Sequence, residues 1–332
     1  MMRRFVVRCC LFLIPVIVAL VAGELYMRHL PNSYAQKDRW MKEHGSKVEV
    51  LILGNSHGLF GIRPDCFPKK TYNLCQVSQV FEYDEYLLER YASQYKSLTD
   101  VFLIADNSNI FDSPLEQTEW FRCIYYRLYM DYPKHSLWSK YGFEFSNIDA
   151  VKEKWLNHRM DCDSLGWNRG YTKEQRSPDY LSPLSVDIAL ERHLCKDWTW
   201  AEKNREVLIR IADWCREHGL RLILLQAPVS KAYYSGIERK QLDFIEYCCS
   251  LPDVIVADYS QDERFGDDDF FDPDHLTVDG ARKGSEIISD RFFNLSLMFG
   301  VITPAAAESL HCVLPGLPSP APAQYQPSSR GR

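Results

Sequence analysis

The chain has 332 residues, 46% of them hydrophobic and 25% charged, with a net charge of −6. That is enough apolar material for one good-sized globular core plus appendages. Mild acidity without a basic cluster argues against nucleic acid as a partner.

Residues 1–30 carry targeting information. Arg3, Arg4 and Arg8 lead an apolar run that starts at Phe5 and reaches Gly23, broken only by Arg8, which can snorkel to an interface. The basic leader predicts a cytoplasmic N-terminus. A retained signal anchor is the favoured reading, because residues 24–28 continue as an amphipathic helix and the cleavage site is poor. The alternative is a signal peptide cleaved near Val21-Ala22-Gly23. Either one puts the remaining chain outside the cytoplasm, and the first makes it a single-pass cell-membrane protein. Of eleven cysteines, Cys9 and Cys10 lie in the apolar run, so the remaining set is odd and at least one thiol is unpaired. Some disulfides are expected, in a pattern the spacing does not give. No Cys-x-x-Cys pair occurs, which argues against zinc and thioredoxin chemistry.

After a polar linker at 31–46, a domain is expected over 47–295. Residues 48–53 read as a buried strand running into Gly54-Asn55-Ser56-His57-Gly58, and 71–75 as a second strand. Residues 83–91 have helical apolar spacing, and 100–105 form a third strand. A helix over 204–218 stops at Gly219, and strand 220–225 follows. Helix 238–250, strand 254–258 and helix 279–293 complete the series. Strands alternating with helices mean βαβ units, a five-stranded parallel sheet and a three-layer, flavodoxin-like α/β sandwich.

Ligands of such sheets bind at the C-terminal strand edge, where Ser56 falls. Much later, Asp272-Pro273-Asp274-His275 sets a carboxylate three residues before an imidazole. A serine hydroxyl becomes a nucleophile when an imidazole takes its proton, and a carboxylate fixes that imidazole's tautomer. Each half alone has a plainer reading: a strand-to-helix turn for the first, and helix-capping aspartates beside a surface histidine for the second. Together they point to catalysis by Ser56, His275 and Asp272.

On these blocks the chain resembles the SGNH (GDSL-type) hydrolase and acyltransferase superfamily over about residues 47–295, as a membrane-anchored, bacterial-type cell-surface member. The resemblance implies a Ser-His-Asp esterase or O-acyltransferase. Its expected substrate is an acylated, above all acetylated, cell-surface glycan or a small acyl ester, and no cofactor or metal is implied. It also implies an oxyanion hole made by the N–H of Ser56, the N–H of Ser78 where the family has glycine, and the side chain of Asn107 in Ala105-Asp106-Asn107-Ser108, with Asn109 as the fallback. Asn55 replaces the family's usual aspartate. His57, next to the nucleophile, is expected to diverge from it and to contact substrate or support the site.

Residues 111–199 break the βα rhythm and should form a helical, aromatic insertion. Its Gly166-Trp167-Asn168-Arg169-Gly170-Tyr171 stretch suggests a lid in which Trp167 and Arg169 touch substrate; a plainly packed lobe is the equal alternative. Asp267-Asp268-Asp269 lacks the spacing of a calcium loop and reads as a solvated turn. Asn294-Leu295-Ser296 fits a glycosylation acceptor, and the Pro/Ala-rich tail 296–332 should be disordered. Two rivals to the enzyme remain: an inactive SGNH-like module that binds glycan or assembles a complex, and a flavodoxin-like binder of phosphate at the 54–58 turn. The second lacks a Gly-x-Gly-x-x-Gly run or P-loop lysine.

Overall fold

A computed structural model describes residues 2–134, 136–156 and 161–294. The 296–332 tail, and Leu295 and Ser296 of the glycosylation pattern, lie outside the described residues.

The elements run in chain order as α1 (Met2–His29), α2 (Ser33–His44), β1 (Val50–Leu53), α3 (Ser56–Gly61), β2 (Thr71–Asn73), α4 (Phe81–Arg90) and β3 (Asp100–Ile104). The insertion holds α5 (Leu115–Thr118), α6 (Trp120–Met130), α7 (Leu137–Tyr141), α8 (Ile148–Val151) and α9 (Pro183–His193). Then come α10 (Trp198–Glu217), β4 (Arg221–Gln226), α11 (Lys231–Gly236), α12 (Arg239–Cys249), β5 (Val254–Asp258) and α13 (Val278–Ser289).

All five strands are parallel, in the order β2-β1-β3-β4-β5. Alternate strand residues feed opposite layers, as a two-residue side-chain period requires. Leu51, Leu53, Val101, Leu103, Leu222 and Leu224 pack towards α4, α6, α10 and α12. Val50, Ile52, Phe102, Ile104, Ile223 and Leu225 pack towards α3, α13 and the Phe292–Phe293 pair. The α/β architecture with a five-stranded parallel sheet is therefore as the alternation predicts.

The N-terminal helix α1 is long and apolar enough to cross a membrane. Its 28 residues, at about 1.5 Å each, exceed a hydrocarbon core of about 30 Å.

Two expectations change. The linker at 31–46 folds as α2, with Tyr34, Lys37 and Met41 buried. Its polar letters conceal this because the Lys37 ammonium is satisfied internally, donating to the Cys75 carbonyl. The expected disulfides are absent among the described residues, where all ten cysteines are free thiols.

Candidate active site

Gly54 ends β1 at φ +124, and a Cβ there would lie 2.6 Å from Ile104 Cβ, so only glycine turns the chain here. Asn55 then caps α3: its Oδ1 accepts the His57 N–H (3.0 Å) while its Nδ2 donates to Ser108 Oγ (2.8 Å). Ser108 in turn donates to Asp106. An aspartate at 55 would lose that N–H donor and set a second carboxylate towards Asp106, which gives the Asn55 departure a physical reason.

The Asp272–His275 block is a tight loop closed by Phe271 N–H donating to His275 O (2.8 Å) and held from outside by Ser230 N–H donating to Pro273 O (2.9 Å). The Asp272 carboxylate accepts the backbone N–H groups of Asp274 (3.1 Å) and His275 (2.8 Å), which fixes it beneath the ring. His275 Nδ1 lies 3.0 and 3.1 Å from the two Asp272 oxygens, and its Nε2 lies 2.9 Å from Ser56 Oγ. A ring donating Nδ1–H to the carboxylate leaves the Nε2 lone pair to accept the Ser56 O–H. The structure thus brings together Ser56, His275 and Asp272 from the two ends of the domain.

Behind this row lies a second one that the sequence did not reveal. His57 is buried, with Nδ1 2.9 Å from Asp106 Oδ2 and Nε2 3.3 Å from Asp274 Oδ2. Both nitrogens face carboxylate oxygens, so both donate only when the ring is an imidazolium. Burial alone would lower its pKa, but the Asp106 and Asp274 carboxylates outweigh that and raise it to about 10. Burial would likewise raise both carboxyls, yet His57 holds Asp106 below its ordinary range, and His275 and His57 hold Asp274 well below it. Asp274 Oδ1 also accepts from Arg192 (3.2 Å). Burial, reinforced by the neighbouring His57 and Arg192 cations, lowers His193 to about 4, leaving it neutral beside the Tyr233 hydroxyl (2.8 Å). The His57 and His275 ring centroids are 5.0 Å apart.

The remaining candidates are distributed as follows. Ser78 sits at φ +55, the left-handed region, in the turn whose Gln76 N–H donates to Gly54 O (3.2 Å); this is where the resemblance has a glycine. The Asn107 amide is engaged elsewhere: Nδ2 points to Tyr233 Oη (3.3 Å) and His193 O (3.4 Å), and Oδ1 accepts from Gln241 (2.7 Å). Asn109 braces the turn after β3, donating to Ile104 O (2.6 Å) and accepting from Asp106 N–H (3.1 Å). Trp167 is buried, donates Nε1–H to Phe60 O (3.0 Å) and lies under the Arg63 guanidinium (4.7 Å), so it packs against α3. Gly166 is required there for close approach, since a Cβ would lie 2.1 Å from Asn73 O at the β2 edge. Arg169 is exposed.

His57, Asp274 and His275 have ligand atoms within 4.8 Å of one another, a spacing open to a metal. Their ring nitrogens, however, already face Asp106, Asp274, Asp272 and Ser56. A divalent ion would have to displace those partners. The acidic turn is engaged as well: Asp269 pairs with Lys283 (2.7 Å) and Asp268 with Arg176 (3.4 Å).

A narrow pocket opens beside Ser56 and His275, lined by Phe60, Ile62, Leu225, Ala227, Leu276 and Ile288. The half-buried Tyr171 and Phe271 rings stack at 4.0 Å, with Tyr171 6.3 Å from the His275 ring.

The chain matches no protein-family model and no curated protein. Among solved structures it is similar to a Streptococcus pneumonia protein provisionally named as a platelet activating factor. The likeness covers 86% of this chain and 99% of that one, at 13% identity and a TM-score of 0.37. At that distance the likeness says nothing about chemistry.

Proposed function

We propose that this chain is a serine esterase or O-acyltransferase of the SGNH type, anchored by α1 with its main domain, residues 47–295, outside the cytoplasm. The observation that carries this reading is the Ser56–His275–Asp272 row, with hydroxyl and imidazole 2.9 Å apart. Ser56 Oγ attacks an ester carbonyl as His275 Nε2 takes its proton, and Asp272 stabilises the imidazolium. The tetrahedral oxygen accepts the Ser56 N–H and the N–H of Ser78. His275 returns the proton to the leaving alcohol, and the acyl group stays on Ser56. Water or a sugar hydroxyl, deprotonated by His275, then takes the acyl group and restores the serine.

The small apolar pocket favours a short acyl group such as acetyl, and the stacked Tyr171–Phe271 pair near the His275 ring favours a sugar-ring acceptor. One observation favours the rival, an inactive module of the same type. The Asn107 amide would reach an oxyanion only by giving up Tyr233 and Gln241. Acetate release from O-acetylated glycans decides between them. Release by the wild type that is lost in Ser56→Ala and His275→Ala supports the enzyme, and no release by the wild type supports the module.

A further inference from the structure

The apolar run of α1 ends at Gly23, and the next turns are gripped by the insertion. Glu24 is buried, its Oε2 accepting the Phe145 N–H (3.0 Å) and its Oε1 the Arg28 Nε–H (2.8 Å). The Phe145 ring lies against Gly23, where an added Cβ would be 2.8 Å from it. Lys154, fully buried in its ion pair with Glu144, also donates to Met27 O (3.3 Å). These contacts fix residues 144–154 at the level where α1 leaves the hydrocarbon, if α1 spans.

The surrounding stretch, residues 137–155, exposes large apolar side chains: Leu137 (74%), Tyr141 (65%), Phe143 (56%), Phe145 (40%), Ile148 (63%) and Trp155 (50%). Outside α1, these are six of the nine exposed large apolar residues among those described. A soluble domain scatters such residues, whereas a cluster marks a surface with an occupant. Aromatic side chains with aliphatic neighbours beside the end of an apolar helix have the chemistry of the bilayer interface.

We propose that residues 137–155 form a collar that seats in the headgroup–acyl boundary of the bilayer around α1. The domain is then held by a face as well as by a single helix. This rests on the reading of α1 as a span.

The test places the photocrosslinker p-benzoylphenylalanine in the full chain, reconstituted in phosphatidylcholine vesicles, in separate variants at Tyr141, Ile148, Leu13 and Tyr247. Intact mass after irradiation reads the products. The collar requires lipid adducts at 141, 148 and 13, and none at 247. An adduct at 13 with none at 141 or 148 overturns the collar and leaves the span standing. Protein–protein crosslinks at 141 and 148 in place of lipid also overturn it, because a second copy would then cover the face. No adduct at 13 removes the span and the collar with it.

Discussion

Two acid–imidazole rows lie side by side in this site, and they have opposite physics. In one, His275 Nδ1 is hydrogen-bonded to one carboxylate, Asp272, whose side chain is 28% exposed, with Asp274 farther off at 3.6 Å, and Nε2 faces a hydroxyl. In the other, His57 is clamped between two buried carboxylates, and its side chain is 2% exposed. A ring hydrogen-bonded to one carboxylate and one hydroxyl can cycle a proton. A ring between two carboxylates holds its proton and becomes a fixed cation that offsets buried negative charge. In the proposed mechanism His275 serves the reaction whereas His57 supports the platform beneath it, although His57 is the one adjacent to Ser56 in sequence.

Substitutions should separate the two rows. The largest effect is expected on the reacting row. Asp272→Asn should lower kcat for a small acetyl ester by about 10³–10⁴-fold, since the tautomer control is lost, with unfolding midpoints little changed. Steady-state kinetics and urea denaturation on the same preparations would check this.

On the buried row the order reverses. His57→Gln leaves Asp106 and Asp274 without their shared cation and should cost about 3–5 kcal/mol of stability. Equilibrium unfolding measures it. A His57→Gln variant that keeps its stability and only raises KM would instead make His57 a substrate contact.

The pH dependence sharpens the contrast. The folded-state pKa of His57 is raised to about 10, so the stability it contributes is complete below its unfolded value near 6.5. It is lost as pH rises through about 10. The stability gap between wild type and His57→Gln should therefore narrow between pH 7 and pH 10. Asp106 and Asp274, whose pKa values are depressed, contribute stability above about pH 3.8 that is lost as pH falls through their folded values. Urea titrations across pH would show the gap narrowing at both ends, and a gap that widens towards pH 10 would contradict the clamped imidazolium.

The smallest effect concerns the neighbouring turn. Ser78 holds φ +55, so Ser78→Gly should be neutral or stabilising by up to about 1 kcal/mol, as read from the thermal midpoint.

The same contrast explains what the sequence could and could not reveal. The sheet was legible because each strand is a short apolar run set off by turn residues, as by Gly54 after β1 and Gly219 before β4. Ser56, Asp272 and His275 were legible as neighbours because residue type and local spacing pair a turn hydroxyl with a carboxylate–imidazole block. The buried row was not, because His57, Asp106, His193 and Asp274 come from four separate stretches and only the fold makes them neighbours. One signal was present, the second acid inside Asp272-Pro273-Asp274-His275, which reads on its own as a capping residue. Helix α2 was hidden for a related reason: Lys37 and Asp38 look solvated, yet Lys37 donates to a buried carbonyl and Asp38 is held by Arg90 (2.8 Å). Trp167 misled in the other direction, since an aromatic flanked by glycines resembles a ligand contact while Gly166 and Trp167 serve packing at β2 and α3.

The most direct test of the account is covalent. A fluorophosphonate probe is incubated with the full chain, and the labelled peptide is mapped by mass spectrometry. The account predicts phosphonylation at Ser56, slowed by orders of magnitude in His275→Ala and retained in a folded variant at Arg169. Absence of label on a folded wild-type chain, or label at another serine that persists in Ser56→Ala, would contradict it.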